Sequence, residues 1–255
     1  MTTRRDFLKT MTMASAGLAL GAGDILANPT FASQRKITDK VKIAYVGIGN
    51  RGEQIIGDFA RTGMVEVVAL CDVDMGAPHT QKVMNLYPKA KRFRDFRQMF
   101  DKAGNEFDAV AIATPDHSHF PISMLALASG KHVYVEKPLA RTFYEGELLM
   151  QAALKRPNLV TQVGNQGHFQ FKAWMDAGII KDVTAVTAHM NNPRRWHKWD
   201  TNIYKFPAGQ QLPKDMEWDP WLGVTPYHEY NKDYHLGQWR CWYDFGMGAL
   251  GDWGA

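Results

Sequence analysis

Apolar and polar positions along the chain alternate with two periods, and the switches between them mark out the elements. From Val41 a short run, Lys42-Ile43-Ala44-Tyr45-Val46, ends at Gly47 and predicts a buried parallel strand, apolar on both faces. Helical spacing follows from Arg51 to about Thr62. A second apolar run, Val65 to Leu70, closes on Cys71-Asp72, and Phe107 to Thr114 and His132 to Val135 repeat the pattern. Between those two, Ile122, Leu125, Ala126 and Ala128 recur at helical spacing, and Gly130 stops that helix. Tyr144 to Leu154 predicts another helix, and Leu159 to Val163 another strand. Strands separated by helices of this length imply right-handed crossovers and an open, mostly parallel sheet.

The pattern changes near Gly164. All eight tryptophans lie at Trp174 or later, seven of them between Trp196 and Trp253. Val183 to Met190 reads as a strand that runs into a polar, proline-containing loop. The shift sets a boundary, with one domain over residues 36–163 and a second over 164–255.

Composition adds exclusions. A formal net charge of +4 with 22% charged residues carries no strong basic run, which speaks against nucleic acid and membrane surfaces as partners. The two cysteines, Cys71 and Cys241, are far apart, so neither a disulfide framework nor a paired-cysteine zinc site is expected. The nine histidines show no zinc spacing, and no metal is assigned. The N-terminus is separate from the fold. Thr3-Arg4-Arg5-Asp6-Phe7-Leu8-Lys9 precedes a mildly apolar stretch from Thr10 to Ala22, too short and too weakly apolar to span a bilayer stably. The adjacent arginines, with Phe7 and Leu8 behind them, resemble a twin-arginine export signal, which implies delivery of a folded protein to the periplasm. No cysteine follows the apolar stretch, so no lipid anchor is expected there. Residues 1–35 are set aside as signal and linker.

Gly47-Ile48-Gly49-Asn50-Arg51-Gly52 fits G-x-G-x-x-G, and it follows a predicted strand and opens a predicted helix, as dinucleotide binding requires. Gly47 permits the tight turn, Gly49 lets the backbone approach a pyrophosphate, and Gly52 lets helix and strand pack closely. The pyrophosphate then rests on the free N–H groups at the helix start, beside Asn50 and Arg51. Asp72 ends the second strand, twenty positions beyond Gly52. A carboxylate there accepts hydrogen bonds from ribose hydroxyls and repels a 2′-phosphate, which favours NAD over NADP.

Two further segments, Thr114-Pro115-Asp116-His117-Ser118-His119 and Gly130-Lys131-His132-Val133-Tyr134-Val135-Glu136-Lys137-Pro138, complete a pattern over residues 42–140. With the glycine motif they resemble the Gfo/Idh/MocA family of glucose–fructose oxidoreductase and inositol dehydrogenase. The resemblance implies an N-terminal Rossmann domain, a doubly wound parallel sheet, followed by an α/β domain with an open, mostly antiparallel sheet. It also implies that Lys137 reaches the nicotinamide and the reacting carbon, with Glu136 at the cofactor. At a strand's C-terminal end an ammonium points into the crevice where open α/β sheets bind ligands. There it can polarise a substrate oxygen and relay its proton. Thr114, Pro115 and His119 are expected to line the nicotinamide half, while His117 is left as either a lining residue or an exposed loop histidine.

The resemblance places an Asp-x-x-x-His helix at Gly246 to Ala255, with Asp252 as the aspartate. Spacing of four puts both side chains on one helical face. The expectation is that the chain is a fragment that stops one residue short of that histidine and lacks part of its second domain. On the substrate side, Gly164-Asn165-Gln166-Gly167-His168 should enter the cleft, with Asn165 and Gln166 as donors to hydroxyls. Asn191, Asn192, Arg194, Arg195, Trp196 and His197 form a polar and aromatic loop suited to sugars, of which Arg194 and Trp196 are taken as substrate residues. Three readings follow. The first is an NAD-dependent oxidoreductase acting on a sugar, polyol or sugar derivative. The second is a glycoside-cleaving enzyme that oxidises its substrate transiently, and the third is a sugar-binding or regulatory protein without turnover. A homo-oligomer is implied by the resemblance alone.

Overall fold

The computed structural model describes residues 40–165, 169–187, 205–235 and 237–253. Its centre is a six-stranded parallel sheet: β1 (Val41–Val46), β2 (Val65–Cys71), β3 (Lys91–Phe93), β4 (Ala109–Ile112), β5 (His132–Glu136) and β6 (Thr161–Gly164). Their spatial order is β3-β2-β1-β4-β5-β6, the doubly wound Rossmann arrangement with its reversal between β1 and β4. The helices are α1 (Arg51–Arg61), α2 (Pro78–Leu86), α3 (Phe96–Ala103), α4 (Asp116–Ala128), α5 (Phe143–Leu154), α6 (Phe169–Asp176), α7 (Trp218–Leu222) and α8 (Gly248–Trp253). Among the described residues no helix is long and apolar enough to cross a membrane. The expected export signal lies outside them.

Alternate residues of each strand feed two cores, as the pleat dictates. Ala44 and Val46 join Val110, Ile112, Val133 and Val135 under α3, α4 and α5. Ile43 and Tyr45 join Leu70 and Ala111 under α1 and α2. This explains why β1 reads as a continuous apolar run. Several boundaries differ from the sequence pattern by one or two residues, β4 among them, and two of the shifts have a visible cause. Val160 gives its N–H to the His132 ring, so the ladder of β6 starts at Thr161 rather than Leu159. Helix α5 starts at Phe143 because Thr142 and Glu145 form a capping box.

A third cluster, Met216, Trp218, Trp221, Leu222, Tyr234, Trp239 and Phe245, packs beyond the sheet. It is joined to the Rossmann unit by an isolated antiparallel bridge, Asp74 with Met216, and by Arg97, whose guanidinium binds Asp95 at 2.7 Å and Asp219 at 2.8 Å. The expected open, mostly antiparallel sheet of the second domain is not seen among the described residues. Residues 183–187 carry no strand: Val183 and Val186 are exposed, and no ladder partner pairs with them among the described residues. Residues 188–190 lie outside the described set.

Candidate cofactor and catalytic site

The loops after β1 and β4, on either side of the sheet's reversal point, open a cleft of about 800 Å³, part of it open to solvent. Gly47, Gly49, Asn50, Asp72, Thr114 and Pro115 form one wall, and Pro220, Trp221, His235 and Trp239 face them. The glycine turn is closely fitted. Gly47 has φ of 78°, and a Cβ there would lie 2.7 Å from Ala113 main-chain atoms. A Cβ on Gly52 would lie 2.0 Å from the Gly47 carbonyl oxygen, so helix and turn meet backbone to backbone. Asn50, also at positive φ, begins α1 without a side-chain capping bond.

These features fit a dinucleotide. The start of an eleven-residue helix is left without a side-chain cap, beside a backbone turn with no room for side chains. Thr114 Oγ1, on the cleft wall, is buried without a hydrogen-bond partner among the described residues. Asp72 lines the same cleft and is bound by two main-chain donors, Ile48 N at 2.9 Å and Asp74 N at 3.0 Å. Burial raises its pKa, and those two N–H groups oppose the rise. Each carboxylate oxygen keeps acceptor capacity for a ribose hydroxyl.

Arg51 and Glu136 meet each other, with Arg51 Nη2 2.8 Å from Glu136 Oε1 and the Tyr134 hydroxyl donating to the same oxygen at 3.1 Å. Burial and the Glu136 charge push the Tyr134 phenol up to about 12. Lys137 follows at the end of β5. Its ammonium binds both the carboxylate Oδ1 of Asp252, at 3.0 Å, and the Asp252 main-chain oxygen. Arg240 Nε donates to the same Oδ1 at 3.2 Å.

His119 is a correction. The sequence predicts that it lines the nicotinamide half, but the residue is 1% exposed and its ring faces two carbonyl oxygens, Pro138 O at 2.7 Å and Thr114 O at 2.8 Å. It ties the ends of β4 and β5 together from behind the cleft. His117 is not an exposed loop residue either. It lies buried in the first turn of α4, against Trp221 O at 2.6 Å and Phe245 O at 3.2 Å, and burial lowers its pKa to about 4. The neighbouring Asp116 accepts from Met247 N at 3.0 Å, and burial raises its pKa. Asn165 is exposed just beyond β6. Gln166, Arg194 and Trp196 lie outside the described residues.

Four residues at the site were not anticipated: His79, Trp221, His235 and Arg240. Trp221 and His235 meet His117 and Asp74 from far away in sequence, and Arg240 reaches Asp252 across twelve positions, so no local periodicity marks them.

The profile of the oxidoreductase family with an NAD-binding Rossmann fold, Gfo/Idh/MocA, matches residues 41–165. Through this segment the chain belongs to the Gfo/Idh/MocA family. It is 29% identical over 161 residues to the alpha-N-acetylgalactosaminidase of Shewanella oneidensis, covering 56% of this chain and 35% of that protein. It is 30% identical over 158 residues to a glycosyl hydrolase family 109 protein of Shewanella pealeana, with the same two coverages, 56% and 35%. Apo scyllo-inositol dehydrogenase of Lactobacillus casei superposes with a TM-score of 0.50 at 27% identity, over 57% of this chain and 44% of that one. The chain spans about a third of the length of the curated relatives it matches.

Proposed function

We propose that this chain is the nicotinamide-dependent part of an enzyme that oxidises an alcohol carbon of a sugar, polyol or sugar derivative, with NAD preferred over NADP. The observation that carries the reading is the Lys137–Asp252 ion pair at the end of β5. It sits one residue from Pro138, whose carbonyl is tied through His119 to Thr114 on the cleft wall. When bound, the cofactor supplies a two-electron acceptor for the substrate C–H. The glycine turn from Gly47 to Gly52 holds the pyrophosphate, and Asp72 meets the adenosine ribose. The Lys137 ammonium stabilises negative charge on the substrate oxygen, and its amine takes or returns the hydroxyl proton. Asp252 holds that ammonium in place.

A second reading is favoured by the relatives named alpha-N-acetylgalactosaminidase and glycosyl hydrolase family 109 protein. Oxidation of a ring hydroxyl to a ketone acidifies the neighbouring C–H, so the aglycone can leave by elimination. Water then adds to the resulting double bond, and return of the two electrons restores the sugar. Lys137 serves this chemistry through the same oxygen.

The test uses the full natural protein. Lys137→Ala should leave NAD affinity within a few-fold by fluorescence titration, yet lower turnover by about 10²–10⁴-fold. Retention of more than about a third of the rate removes Lys137 from the chemistry. Incubation with p-nitrophenyl N-acetyl-α-D-galactosaminide, without added NAD, separates the two readings. Nitrophenol release with no net NADH supports glycoside cleavage, whereas NADH formed in step with inositol oxidation supports the dehydrogenase.

A further inference from the structure

Asp252 is held by two cations, not one. Its Oδ1 accepts from Lys137 Nζ at 3.0 Å and from Arg240 Nε at 3.2 Å. Arg240 is itself firmly placed. It lies in a tight turn, Gln238–Cys241, entered through Gly237 at φ of 95°. Its guanidinium stacks over the Trp239 ring, 4.1 Å from the centroid. Gly246 packs against its backbone so closely that a Cβ there would lie 2.7 Å from Arg240 Cα. The Asp252 side chain is 13% exposed, so its charge is poorly solvated.

These contacts matter because a lysine that relays a proton is neutral for part of its cycle. During that interval a carboxylate paired with Lys137 alone would be a partly buried charge without compensation, which is costly. A guanidinium stays charged throughout. We propose that Arg240 is a positioning residue that keeps Asp252 paired and in place while Lys137 gives up and regains its proton. The inference rests on the proton-relay role of Lys137 proposed above. The Asp116 carboxyl, buried nearby, feels the same pair: Arg240 favours its ionised form and Asp252 opposes it.

The experiment compares Arg240→Gln, Arg240→Lys, Arg240→Ala, Asp252→Asn, the Arg240→Gln/Asp252→Asn double variant and Lys137→Ala in the full natural protein. The probe is myo-inositol or p-nitrophenyl N-acetyl-α-D-galactosaminide, whichever the wild type turns over. Arg240→Gln should lower kcat by about 10–100-fold, with KM and NAD affinity within about twofold. Millimolar guanidinium should restore part of the rate of Arg240→Ala. In the Asp252→Asn background, Arg240→Gln should add no further loss, because the two act as one unit. Losses that multiply in the double variant, or that fall on KM and the unfolding midpoint instead of kcat, overturn the proposal and leave Arg240 a structural staple. If Arg240→Gln does not fold, Arg240→Lys takes its place in the same cycle. A partial kcat loss that vanishes beside Asp252→Asn then supports the proposal, and a multiplying loss overturns it. Full activity of Lys137→Ala overturns the catalytic reading and this inference together. Loss in Lys137→Ala with full kcat in Arg240→Gln overturns this inference alone.

Discussion

Arg51 Nη2 lies 2.8 Å from Glu136 Oε1, joining the first turn of α1 to the last residue of β5 across 85 positions of sequence. The glycine turn and Lys137 are thereby fastened to one another through a carboxylate that is 5% exposed. There is little slack around it, since a Cβ on Gly164 would lie 2.7 Å from the same Glu136 oxygen.

Glu136→Gln should therefore disturb both cofactor loop and lysine. It removes the charge but keeps the shape, leaving Arg51 half-paired, so a loss of about 1–3 kcal/mol is expected, toward the lower end because Arg51 is partly solvated. Urea unfolding of the two proteins checks it, and an unchanged midpoint refutes the link.

Gly49 and His79 make a sharper case. A Cβ on Gly49 would stand 2.1 Å from His79 Cδ2, a side chain that can move or be removed. Gly49→Ala should lower the unfolding midpoint, and His79→Ala should restore most of it in the double variant. NAD affinity should stay reduced by about tenfold or more in both, because the added methyl stands where the backbone meets the pyrophosphate. Gly52→Ala meets a main-chain oxygen instead, so His79→Ala should not rescue it. Equal behaviour of the two alanine variants would contradict the geometry.

Asp72 bears on cofactor choice. The unmutated protein should bind NAD more tightly than NADP, and Asp72→Ser should narrow the gap by removing charge repulsion at the 2′ position. Because Asp72 also accepts from Ile48 N and Asp74 N, the variant should lose some stability as well. Equal affinities in the unmutated protein would sink the assignment.

His117 predicts a pH dependence. Burial depresses its pKa from 6.5 to about 4, so the folded state disfavours the charged ring. Its contribution is fully present above pH 6.5 and is lost as pH falls toward 4, by about 3 kcal/mol at most. The raised Asp72 and Asp116 carboxyls act in the opposite sense near their ordinary 3.8, so the comparison must share them. Between pH 7 and 4.5, unfolding midpoints of the wild type should fall more steeply than those of His117→Asn. Parallel slopes would show that His117 does not carry the effect.

Much of the Rossmann unit was legible because its signals are local. Gly47, Gly49 and Gly52 are punctuation at fixed offsets, and strands buried on both faces read as apolar runs. Helix α2, strand β3 and helix α3 gave no such signal. They are short and rich in polar residues, and β3 is only three residues, Lys91-Arg92-Phe93. The capping box of Thr142 and Glu145 was readable, but its capping residue stands two positions before Tyr144, the apolar onset that sets the expected start. The facing wall was not legible at all. Trp221 meets His117 across 104 positions, and no periodicity records a contact of that span. His119 misled for a related reason. A histidine beside a site looks like a ligand contact in sequence, and burial between two carbonyls shows only in three dimensions.

The division of β1 between two cores also bears on how such a chain can change over time. Ile43 and Tyr45 serve one core, and Ala44 and Val46 the other, with β2 and β4 bonded on either side. Replacing one apolar residue by another there alters packing by degrees. Inserting or deleting a single residue exchanges the two sets of side chains and carries Gly47 out of its turn. Substitution is thus a gradual path at this strand and a change of length is an abrupt one, so drift in composition is tolerated where drift in spacing is not.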